Sequence, residues 1–186
     1  MSLANRRLYL AFFVSTLLVG SLKADQTDER LDALFATLQT SEDPMILRET
    51  EQDIWSIWYD SGNERVDELM TEAEYAMRFG ELAKAELLYT EIVSLAPEFS
   101  EGWNRRATVR YHMGNHDQAL DDIQRTLSLE PRHFGALWGL GMILSARGNY
   151  LDAITAFETL IAVKPNTLDA APRIEFLKER IKNQAI

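Results

Sequence analysis

Gly80, Gly114 and Gly148 stand 34 residues apart, then 34 again. Ala85, Ala119 and Ala153 keep the interval, as do Pro97, Pro131 and Pro165. Tyr89, Ile123 and Phe157 hold a large apolar place in the same frame. Four columns in one register over three copies are the mark of a stacked repeat, in which one supersecondary unit is laid against the next.

Each column has a physical task. The glycine separates two amphipathic runs and ends the first helix where a left-handed residue is needed. The alanine lies in the first turns of the second helix and lets neighbouring helices approach. Four residues on, the large apolar residue shares its face. The proline stops the second helix. Each unit is therefore a helix, a tight turn and another helix.

Glycine, small alanine, aromatic and proline at this period resemble the tetratricopeptide repeat (TPR). Trp103, Leu137 and Leu69 stand in that family's first-helix aromatic place, and Ala73, Ala107 and Gly141 in its small place. The units are 66–99, 100–133 and 134–167. The resemblance implies an all-α fold, a right-handed superhelical solenoid of antiparallel helix pairs. First helices would line a concave groove that holds a peptide, helix or loop of another protein.

Upstream, large apolar places persist in phase at Phe35, Trp55 and Trp58, whereas Ile46, Glu51 and Asn63 replace the glycine, alanine and proline. Residues 25–65 read as a divergent N-terminal helix pair stacking like a fourth unit. Downstream, Ile174, Leu177 and Ile181 share one face among charges, so 168–186 reads as a solvating C-terminal capping helix.

The first 24 residues carry Arg6 and Arg7, an apolar run from Leu8 to Gly20, and no acid. That pattern reads as a signal peptide cleaved near Ala24, the run being short for a span of about 20 apolar residues. The expected location is secreted or periplasmic. An uncleaved helix would instead anchor the protein in the inner membrane.

Charge and composition narrow the function. The chain's net charge is −10, with 19 acids against 5 bases over 25–98 and near balance beyond. Such a surface has no general attraction for nucleic acid or anionic lipid. The absence of cysteine excludes disulfides, thiolate metal sites and a thiol nucleophile. His112 and His116 are four apart, but Gly114 and Asn115 break the helix between them; His133 reads as a solvated turn residue. Asp121 and Asp122 read as an exposed helical face, with Asp121 pairing to Arg125. No nucleophile elbow, phosphate loop or dinucleotide fingerprint occurs. The sequence points to a protein that is not an enzyme and needs no cofactor.

One patch stands out. "WNRRATVRYH", from Trp103 to His112, gathers three arginines on one first helix of an acidic protein. Asn104, Thr108 and Tyr111 share a stripe that Arg105 flanks. The family's geometry turns this stripe into the groove, beside Trp138 and Met142 of the next first helix and Met70 of the previous one. Aromatic, methionine and arginine side chains have the composition of a binding hot spot. The expected partner-binding groove is therefore Met70, Asn104, Arg105, Thr108, Tyr111, Trp138 and Met142. Some members of the family clamp a C-terminal carboxylate at corresponding first-helix places; here those hold Met70, Glu74, Arg105, Gly135 and Gly139, and Arg105 alone could serve. The leading expectation is an exported adaptor that binds a protein or peptide. The alternative is a membrane-anchored structural component of the envelope acting by self-association, for which the aromatics Trp55, Trp58 and Tyr59 would offer an exposed surface.

Overall fold

The structure, a computed structural model, describes residues 28–184. The expected signal peptide lies outside the described residues. Among the described residues every regular element is an α-helix: α1 Arg30–Thr40, α2 Pro44–Tyr59, α3 Glu64–Arg78, α4 Leu82–Leu95, α5 Ser100–His112, α6 His116–Leu129, α7 Phe134–Ala146, α8 Tyr150–Val163 and α9 Ala170–Gln184. None is long and apolar enough to cross a membrane.

Helices α3 to α8 form three antiparallel pairs, α3–α4, α5–α6 and α7–α8, and each pair packs on the next through α4–α5, α6–α7 and α8–α9. The spaced glycines close the pairs. Gly80, Gly114 and Gly148 have φ of 74°, 79° and 79°. In each turn the glycine N–H and the N–H after it return to carbonyls of the first helix, as in Gly80 to Met77 (3.1 Å) and Glu81 to Ala76 (2.8 Å). This pair of hydrogen bonds satisfies carbonyls the helix end would otherwise leave open, and a left-handed φ without a Cβ penalty requires glycine.

The alanine and large apolar columns meet at the centre of each pair. Ala85, Ala119, Ala153, Tyr89, Ile123 and Phe157 are all buried. In the third pair Gly141 is itself obligatory: a Cβ there would lie 2.5 Å from the Phe157 ring. Capping follows sequence at the N-terminal helices, where Asn63 accepts from the Arg65 and Val66 N–H groups and Asp43 accepts from Met45 ahead of Pro44.

Helices α1 and α2 form as expected, with Pro44 opening the second, but they do not stack as a fourth unit. The pair folds back against the other end of the solenoid, α1 packing on α8 and α2 on α5. Leu31, Phe35, Leu38, Ile54, Ile57 and Trp58 join one apolar cluster with residues of α7, α8 and α9. The cause lies in the receiving surface of α3. One period before Gly102, Arg106 and Val109, which face α4, stand Glu68, Glu72 and Tyr75, all exposed. Glu68 pairs with Arg65 and Glu72 with Lys84 in solvent. Docking an apolar helix there would bury those carboxylates, at a cost that solvated ion pairs do not return.

The aromatics of α2 are consequently not an exposed stacking surface: Trp58 is fully buried, and Trp55 and Tyr59 are half-buried.

Candidate functional site

The inner wall of the solenoid is built by columns that continue the 34-residue register along the first helices. One runs Glu74, Thr108, Met142, Phe176; the other reaches the wall only at Trp138 and Pro172, one period apart. Between α5 and α7 this wall opens into a cavity of about 290 Å³ lined by Thr108, Tyr111, Gly135, Trp138, Gly139 and Met142 among others. Two glycines on the wall of α7 leave room that side chains would fill; a Cβ on Gly139 would already press on Ile123 at 3.2 Å. The floor is Ala107, Ile123 and Ile143. An adjoining hollow reaches from Trp138 to Arg173 and Phe176 on α9. Trp138 is edge-on to Phe157 (5.3 Å) and faces the Arg173 guanidinium at 5.7 Å, so its rotamer is set from both sides.

Four of the seven residues expected in the groove thus meet in one cavity: Thr108, Tyr111, Trp138 and Met142. Arg105 lies between this wall and a smaller hollow with Glu74, Met77 and Arg78. Met70 and Asn104 are buried and do not line the groove. Met70 packs in the apolar core of the first pair, and Asn104 turns under the wall to donate to Glu101 (2.8 Å). Arg173 and Phe176, which the reading of α9 as a solvating cap left out, belong to the wall. They were legible one period beyond Gly139 and Met142.

A buried polar network underlies the groove's end. Glu101 and His133 are fully buried. Ala136 donates its N–H to His133 Nδ1 (3.1 Å), so the ring proton sits on Nε2, which donates to Glu101 Oε2 (3.0 Å). The other Glu101 oxygen accepts from Arg105 Nε. Burial holds the Arg105 guanidinium below its usual pKa, and desolvation raises the Glu74 carboxyl opposite it, Arg78 opposing. His133 is therefore the N-cap of α7 and the link between two first helices, not a solvated turn histidine. Asp122 is buried too. It holds Arg106 in a two-toothed pair (3.0 and 2.7 Å) and accepts from Arg110 (2.8 Å), while Arg125 pairs with Glu98 rather than with Asp121. The arginines of the "WNRRATVRYH" helix are thus divided: Arg106 and Arg110 brace the α5–α6 pair, and Arg105 alone borders the groove.

The tetratricopeptide repeat profile matches residues 70–126 and 104–167. A TPR repeat-containing protein of Rhizobium etli is 32% identical over 192 residues, covering 97% of this chain and 94% of that one. The chain belongs to the tetratricopeptide-repeat family. Among solved structures it is similar to the TPR domain of Sgt2 from Aspergillus fumigatus, with a TM-score of 0.62 and 26% identity over 66% of this chain and 83% of that one. It also shares its fold with the first TPR domain of Spaghetti bound to an HSP90 peptide, with a TM-score of 0.61 and 16% identity over 63% of this chain and 93% of that one.

Proposed function

We infer that this TPR protein acts by holding a peptide or helix of a partner protein in the concave groove between α5, α7 and α9. The observation that carries the reading is the apolar cavity lined by Tyr111, Trp138 and Met142 on the inner wall; a domain of the same fold, the first TPR of Spaghetti, is bound to an HSP90 peptide. Its volume of about 290 Å³ suits one or two large side chains, and its rim, with Thr108 and Arg173, can fix a backbone or a carboxylate. Aromatic side chains supply large contact area, and methionine adapts its shape to the ligand. The groove differs from a carboxylate clamp, since α3 and α7 present no lysine or asparagine beside Arg105.

A photo-crosslinking residue at Thr108 tests this directly. The partner should be captured from Thr108 and not from an outer position such as Glu158, and Trp138→Ala with Met142→Ala should abolish capture while leaving helicity intact. Capture from Glu158 alone would move the site to the convex face.

The reading extends to export. Arg6, Arg7 and the apolar run to Gly20 support delivery to the periplasm with cleavage near Ala24. The mass of the protein recovered from cells checks it: the expected chain begins at Asp25. A retained N-terminus would support instead a membrane-anchored envelope component. End-to-end stacking of such copies is disfavoured by the hydrated carboxylates of α3.

A further inference from the structure

The α1–α2 pair does not extend the solenoid, yet it occupies a well-defined seat, and the chemistry of that seat has a feature that ordinary core packing lacks. Three groups of the solenoid face three rings of the hairpin. The His133 imidazole lies flat on Trp58, centroids 4.1 Å apart and 8° between planes. Arg105 sits 5.0 Å from the Tyr59 ring centre, and Arg132 sits 4.4 Å from that of Phe35. Each of these groups is already satisfied from within the solenoid. Glu101 holds His133 and Arg105, the Ala136 N–H holds the other His133 nitrogen, and Glu130 holds Arg132. Withdrawing the hairpin would break none of those bonds.

The hairpin's own polar contacts are confined to the rim: Asp32 with Arg132 (2.6 Å), Glu51 with Lys164 (2.6 Å) and Gln39 with the Ala162 carbonyl (3.5 Å). Beneath the rim the packing is apolar and close, Ile54, Ile57 and Trp58 being buried, with one polar exception. Among the described residues Trp58 Nε1 is buried with no acceptor, an omission that disfavours the docked state. Residues 60–63 connect the pair to α3, and Gly62 there has φ of 66°. The solenoid therefore presents a finished surface that receives aromatic faces, adjoining the open groove at Gly135, where a Cβ would stand 2.9 Å from Trp55.

We propose that this seat is a second protein-docking site, for an amphipathic helix with aromatic residues, and that α2 is its resident occupant. The occupant defines the chemistry of the competitor. Glu51, Trp55, Trp58 and Tyr59 fall at i, i+4, i+7 and i+8, one stripe of a helix. A partner helix needs a carboxylate for Lys164 and, one and two turns on, rings for His133 and Arg105. An aromatic face over a guanidinium gains from both apolar contact and the ring quadrupole. Docking in trans releases α2 and uncovers its own aromatic stripe, so the site couples capture of one helix to exposure of another.

The test uses a fluorescein-labelled peptide of residues 44–60 and the full chain. In the wild type α2 in cis competes, and the peptide binds weakly by anisotropy. In the Trp55→Ala, Glu51→Lys variant the cis helix is loosened, and the peptide should bind at least tenfold more tightly. A peptide with serine at the three aromatic places should not bind. The charge-only variant Asp32→Lys, Glu51→Lys changes only the rim ion pairs and should give a smaller gain, about threefold; adding Lys164→Glu should reverse part of it. Hydrogen exchange should show α1 and α2 opening at least tenfold more often than α5 and α8 in the wild type. Equal peptide affinity for all variants would overturn the proposal, as would hairpin amides that open only with global unfolding. Concentration-dependent dimers of the loosened variant, without peptide binding, would make a second copy the occupant and overturn it likewise.

Discussion

The first helices of the solenoid carry the same register and meet different surroundings. On α5, α7 and α9 the residues facing the preceding second helix are Gly102, Arg106, Val109; then Ala136, Leu140, Ile143; then Ala170, Ile174, Leu177. They are small or apolar, apart from Arg106, which is neutralised by Asp122. On α3 the same places hold Glu68, Glu72 and Tyr75. The contrast shows what a terminal repeat requires. A helix can keep its family pattern on the face it shares with its own partner while the face beyond is rewritten for water. That rewriting sends the N-terminal hairpin away from the end it precedes in sequence, to a seat of rings and cations elsewhere.

The largest expected effect breaks the shared side of the comparison. Phe157→Ala empties the space that Gly141 is shaped to receive, and should cost about 3–5 kcal/mol, read as a fall in the urea midpoint. Next is the facing side of α5. Arg106→Ala leaves Asp122 buried with Arg110 as its remaining charge partner and should cost about 3 kcal/mol, whereas Glu72→Ala, one period earlier, should stay within about 0.5 kcal/mol. If the two cost the same, the distinction between inner and terminal faces is wrong. A gain-of-function change sharpens it: Glu68→Ala, Glu72→Leu and Tyr75→Ile should leave the monomer's unfolding midpoint nearly unchanged but produce concentration-dependent association by light scattering, because an apolar end face has been created.

The smallest effect concerns pH. Desolvation raises the Glu74 carboxyl in the folded state. Between the ordinary carboxylate pKa and that raised value the native protein binds more protons than the unfolded chain, so this group's contribution falls as pH rises through the window. Glu74→Gln should flatten that dependence and raise the melting temperature at neutral pH by about 1–2 °C.

Much of the solenoid could be read from residues because its causes are local. A glycine at the turn, an alanine one turn into the next helix and a ring four residues later act within one pair, and each did what its place required. The groove was legible where columns recur, as Thr108 and Met142 do, and incompletely where the register was not carried one step further to Arg173 and Phe176. Met70 and Asn104 were misplaced because a helical stripe gives a direction but not a depth: neighbouring elements decide whether a residue on its edge is covered. Two features depended on contacts distant in sequence. His133 has no local sign of burial; Trp58, far upstream, covers its ring, and Glu101 accepts its hydrogen bond. The hairpin's position was misread because Phe35, Trp55 and Trp58 were judged by their own phase. The deciding signal lay in Glu68 and Glu72 on the surface that would have had to accept them.

The outward side of α3 also directs how such a protein can lengthen. A duplicated unit inserted between α8 and α9 would find a matching socket on one side and offer one on the other, because Ala170, Ile174 and Leu177 repeat what Ala136, Leu140 and Ile143 present. An extra unit placed ahead of Glu64 would meet carboxylates and find no purchase. Growth by tandem duplication is therefore open toward the C-terminus and shut toward the N-terminus, and the array carries its own directional stop.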